Sequence, residues 1–215
     1  MNNLHEDYFK VFALGGSNMK KIHLFPEYVG LPLKDFHYIN LSVGGLTLAE
    51  NAPYYKNGVE KAKYIIDNQL NLRTDFLIFC PQLNNFSNSI SHMEGFANRI
   101  KEIIEHAQQI NASERLIIMS PFYRKNDQYD YYIHYLNEKL EGICNENAVN
   151  FISPLKYFDK FDPRMFIDFP NNCHYSPPII FHMRDLIAKL LNDKIQKQIS
   201  GNIQFLEENL AQMDF

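Results

Sequence analysis

Four polar residues of this chain have the types and settings that one reaction could share. Ser17 follows two glycines in "VFALGGSNMK" (11–20), and Gly45 lies in "INLSVGGLT" (39–47). Asn84 lies in "FCPQLNNF" (79–86), and His174 in "DFPNNCHYS" (168–176). A serine hydroxyl is a weak nucleophile until a base within hydrogen-bond reach takes its proton, the role open to His174. Charge that develops on an acyl oxygen needs fixed donors, each typically worth about 3 kcal/mol or more. The N–H groups of Ser17 and Gly45 and the side-chain amide of Asn84 are donors of that kind. Together these are the parts of an acyl-transfer site.

Each residue also has a plainer reading. Ser17 could cap a helix or belong to a phosphate-cradling loop, although "GGSN" lacks the Lys-Ser/Thr ending of a P-loop and the third glycine of a dinucleotide fingerprint. Asn84 could be a turn residue, and His174 a surface histidine. Cys173 adjoins His174, but neighbouring residues rarely present both side chains to one substrate atom. The remaining histidines form no metal set: His134 and His182 lie in helical patterns, and neither HxxxH nor HExxH spacing occurs. The aromatic residues of 122–135 read as core and rim packing before they read as a ligand pocket.

The elements that must position the four residues alternate along the chain. "KVFALG" (10–15) and "DFLIFC" (75–80) are short and continuously apolar, the pattern of strands buried on both faces. "FHYINLSV" (36–43), "RLIIMS" (115–120) and "NFIS" (150–153) bring the expected strands to five. In "SHMEGFANRIKEIIEHAQQI", Met93, Phe96, Ile100, Ile103, Ile104 and Ala107 share one helical face. Helical patterns are also expected over 49–70, 129–146 and from Ser176 onward, where Ser176 suits an N-cap and Pro177-Pro178 a first turn. Such alternation predicts a three-layer α/β/α sandwich around a five-stranded parallel sheet. Ligands of such sheets bind beyond the carboxyl ends of the strands, where Ser17, Gly45 and Asn84 would fall.

The order and context of the four blocks resemble the SGNH (GDSL-type) hydrolase family, whose blocks carry Ser, Gly, Asn and His. "ALGGSN" is similar to the first block, with Gly16 where the family has Asp. "INLSVGGLT" resembles the second, its oxyanion glycine falling on Gly45. In the third, "DFLIFCPQLNN", the oxyanion asparagine falls on Asn84, while Gln82 replaces Gly and Asn85 replaces Asp. "NNCHYS" resembles the fourth, with His174 in place and Asn171 where the triad aspartate stands. The resemblance spans residues 10 to about 191 and implies a flavodoxin-like fold. It also implies a catalytic Ser17 and His174, and an oxyanion hole of Ser17, Gly45 and Asn84. Asn171 can accept a hydrogen bond but brings no charge, and Asp168 earlier in the loop is the alternative partner for His174. The implied activity is a serine esterase or O-acyltransferase on a small acyl ester such as an O-acetyl carbohydrate. A catalytically silent binding or scaffold protein of the same fold is the other reading, motivated by Gly16, Gln82, Asn85 and Asn171. No metal or organic cofactor is implied.

Bulk properties bound the rest. The 215 residues, 46% hydrophobic and 21% charged, suit one globular domain over 1–199 followed by a helical tail over 200–215. That tail either packs on its own domain or joins a homo-oligomer. A net charge of −4 without a basic stripe argues against nucleic acid as a partner. Three cysteines without a CxxC pair, a polar N-terminus and no membrane-length apolar run are expected of a cytoplasmic, soluble protein.

Overall fold

Strands that are apolar at nearly every position can be satisfied only by cover on both faces, and that is how this sheet is built. The computed structural model describes residues 9–30, 36–83, 89–121, 127–155 and 177–213. Its strands are β1 (Phe9–Gly15), β2 (Phe36–Asn40), β3 (Phe76–Cys80), β4 (Leu116–Met119) and β5 (Asn150–Ile152). They pair in parallel in the order β2-β1-β3-β4-β5, the flavodoxin-like order. β1 and β3 are therefore interior strands.

Alternation along each strand divides the core in two. Val11, Ala13, Phe76, Ile78, Ile117 and Met119 face one layer; Phe12, Leu14, Leu77, Phe79, Leu116 and Ile118 face the other. The second layer is closed by α2 (Gly58–Asn68), α3 (Ile90–Gln109) and α4 (Asp127–Glu146). The six apolar residues expected on one face of α3 are all buried. The first layer is closed by α5 (Pro177–Met213), through Met183, Ile187, Leu191 and Ile195, and by Met19, Ile22 and Leu24 beyond β1.

Two boundaries differ from the sequence pattern. The helix expected from residue 49 begins at Gly58, because Asn57 caps it: its side chain accepts from the Val59 and Glu60 N–H groups at 3.1 and 3.2 Å. Tyr54 and Tyr55, which prolong the apolar pattern upstream, lie in a 3₁₀ turn and are exposed. The residues read as a separate tail continue α5, a single helix of 37 residues that runs through Gly201. Among the described residues, no helix is long and apolar enough to cross a membrane.

Candidate active site

The carboxyl end of β1 leads directly into a four-residue helix, α1 (Ser17–Lys20), with Gly16 as its N-cap and Ser17 as its first residue. Ser17 is thus not the cap; it opens a turn that projects from an interior strand, and its side chain is partly buried. Backbone freedom is not why two glycines precede it, since Gly16 has φ −87° and neither glycine has positive φ. Space is the reason instead. A Cβ at Gly15 would lie 2.5 Å from the Cys80 carbonyl oxygen and 2.7 Å from Met19 Cβ. At Gly16 it would lie 1.9 Å from Gln82 Cδ.

Register explains that second contact. Gly15 pairs with Cys80 across β1 and β3. The turn that carries Ser17 and the segment that carries Gln82 therefore leave the sheet from paired positions. The Gln82 side-chain N–H donates to Ser17 Oγ at 3.1 Å, joining residues 65 apart in the chain. The Gly45 segment arrives at the same edge by a similar extension of pairing. Past β2, the Leu41 N–H donates to the Ala13 carbonyl at 2.8 Å and the Val43 N–H to the Gly15 carbonyl at 2.9 Å. Gly45 then turns with φ +77°, a left-handed conformation that does favour glycine. The aliphatic end of Lys56 packs beside it, 3.6 Å from where a Cβ would lie. The loop is clamped at its far side, where the Thr47 N–H donates to the Lys56 carbonyl and the Gly58 N–H to the Thr47 carbonyl.

Asn40, at the end of β2, holds the turn that carries Ser17. Its amide donates to the carbonyls of Met19 and Ile22 at 3.1 and 3.0 Å, and its oxygen accepts from the Ser42 N–H. Tyr38 adds a hydroxyl donated to the Ile22 carbonyl. Beneath this edge, burial pushes the Cys80 thiol well above its usual range, which makes it inert packing. Burial likewise raises Tyr38, with a smaller contribution from Cys80. A groove of about 320 Å³ lies beside the loop, lined by Leu41, Tyr54, Lys61, Tyr64 and Gln69. Among the described residues no three His, Cys, Asp or Glu side chains gather as a metal site.

Of the residues expected from sequence, the structure therefore brings Ser17 and Gly45 to one sheet edge. Asn84, Asp168, Asn171 and His174 lie outside the described residues, as do Asn85 and Cys173. Gln82 and Asn40, which bond Ser17 and the turn that carries it, are neighbours that sequence reasoning did not assign. Gln82 stood out as a departure from a family pattern, and Asn40 gave only the weak signal of an amide at a strand end.

No family profile matches the chain, and no curated protein does either. Solved structures do. A lipase/acylhydrolase from Enterococcus faecalis superposes with a TM-score of 0.63 at 16% identity, covering 86% of this chain and 96% of that one. A lipolytic protein of the G-D-S-L family from Veillonella parvula gives 0.60 at 12% identity, covering 82% and 94%. A carbohydrate acetylesterase from Sinorhizobium meliloti gives 0.58 at 12% identity, covering 87% and 98%. Nearly the whole of each of these proteins is matched, so the chain shares their fold, a five-stranded parallel sheet between helices.

Proposed function

We propose that this protein is a serine-dependent ester hydrolase or acyltransferase acting on a small acyl ester, with O-acetyl groups of a carbohydrate as the substrate class. One observation carries the reading: Ser17 stands at the carboxyl end of an interior strand, first in a helical turn, with the Gly45 loop hydrogen-bonded to the same strand end. Ser17 Oγ attacks the acyl carbon while His174 takes its proton. The N–H groups of Ser17 and Gly45 and the Asn84 amide receive the oxyanion. His174, oriented by Asp168 or Asn171, then protonates the leaving alcohol. Water or a sugar hydroxyl releases the acyl group from Ser17, and that choice separates hydrolase from transferase.

The carbohydrate has its own support. It draws on the acetylesterase among the structural neighbours and on the groove with its exposed Tyr54 and Tyr64 rings, apolar faces with polar tips. The chemistry itself is tested without a substrate. Intact-mass analysis after incubation with a small fluorophosphonate is expected to give one adduct, located at Ser17 and lost in Ser17→Ala and His174→Ala. A folded wild type that acquires no adduct overturns the enzyme reading in favour of a binding protein with this fold, the reading motivated by Gly16, Gln82, Asn85 and Asn171.

A further inference from the structure

Gly16 and Gln82 depart from the SGNH pattern at positions far apart in the chain, yet they share one volume. The Cδ, Oε1 and Cγ atoms of Gln82 lie 1.9, 2.2 and 2.4 Å from where a Cβ on Gly16 would stand. No substituent at 16 is compatible with Gln82 as it lies. From that position its amide N–H donates to Ser17 Oγ. A glutamine side chain at a sheet edge gives up considerable rotamer freedom by folding back over the backbone in this way.

We propose that Gln82 is a positioning residue for Ser17, and that Gly16 is glycine in order to admit it; the inference rests on Ser17 being the nucleophile. A hydroxyl has one proton to donate and two lone pairs that accept. The amide nitrogen of glutamine can only donate, so its bond occupies a lone pair of Ser17 Oγ. The Ser17 proton is thereby turned away from Gln82 and left for a base. The bond also fixes the rotamer from which Oγ attacks. Gln82 acts through Ser17.

The test measures the rate of Ser17 labelling by a fluorophosphonate against pH, with thermal midpoints recorded in parallel. In Gln82→Met, similar in volume but without the donor, labelling slows about fivefold, as expected for loss of one neutral hydrogen bond, with an unchanged midpoint. In Gln82→Glu the result depends on protonation. A neutral carboxyl can still donate, whereas a carboxylate captures the Ser17 proton. The ratio of variant to wild-type rate therefore falls across about pH 4 to 6, the range in which an ordinary glutamate ionises. A purely structural role gives a ratio independent of pH. Gly16→Ala displaces Gln82 and slows labelling as Gln82→Met does. Adding Gln82→Ala to it costs nothing further in rate and restores part of the midpoint, the non-additivity expected of residues in contact. Wild type labelled at Ser17, with Gln82 variants reacting as wild type at every pH, overturns the positioning role alone. Independent, multiplying effects of the Gly16 and Gln82 substitutions overturn the shared volume. A folded wild type that is never labelled overturns the enzyme reading and this inference with it.

Discussion

Cys144 and Cys80 are fully buried in opposite core layers, and burial raises both thiols, Cys144 to about 12 from an ordinary value near 9. Thiolate is the reactive form, so neither cysteine alkylates in the native protein at neutral pH. The same shift links stability to pH. Above about pH 9 the unfolded chain sheds the Cys144 proton while the folded chain keeps it until about pH 12, so stability falls as pH rises through that window. Below it both states hold the proton and the contribution vanishes. Denaturant midpoints measured near pH 8 and near pH 10.5 are expected to drop between the two, and to drop less in Cys144→Ala. At this scale the sequence was informative where position alone carries the role. Ser17 and Gly45 are recognisable as residues that follow apolar runs. The Gln82 contact is not, because it depends on the register of β1 against β3. A strand buried on both faces, such as FLIFC, has no apolar–polar alternation from which register can be read.

Elements were legible where side-chain periodicity is set by burial, and illegible where one hydrogen bond decides. The α3 stripe from Met93 to Ala107 is apolar because it packs on the sheet, so its period is visible. The start of α2 is set by the Asn57 cap, against an apolar pattern that Tyr54 and Tyr55 continue into solvent. The turn carrying Ser17 depends on a similar local device. α1 has only four residues, too few to be stable alone, and Asn40 fastens the backbone at Met19 and Ile22. Asn40→Ala removes its bonds to both carbonyls, while the Ile22 N–H and the Tyr38 hydroxyl still reach them, at a cost of about 1 kcal/mol. Chemical denaturation should register that loss. The fluorophosphonate rate at Ser17 should fall with it, since the turn would no longer hold one position.

For the whole molecule, a parallel sheet with helices on both faces was readable from the alternation of strand and helix, whereas the strand order came only with the family resemblance. The extent of α5 was not readable, since Gly201 interrupts neither its hydrogen bonding nor its course. Among its described side chains, those buried in the core run from Ile179 to Ile195, and Gln198 then binds Arg115 at 2.7 Å and the Arg73 carbonyl. A chain ending at Ser200 keeps all of these contacts and should unfold cooperatively near the wild-type temperature. One ending at Ile187 loses Ala188, Leu191 and Ile195 from the core, with about 1.5–3 kcal/mol for each large aliphatic side chain. It should lose its cooperative thermal transition.

The same arrangement has a consequence for synthesis. β1 leaves the ribosome well before the helix that covers Val11 and Ala13, with the rest of the sheet made between them. At roughly 5–20 residues per second, one face of the nascent sheet stays wet for about ten seconds or more. Met19 and Ile22 belong to that same unfinished layer. Ser17 is therefore translated long before the layer beneath it closes, so a ribosome-bound chain carries the hydroxyl without the setting that would make it reactive.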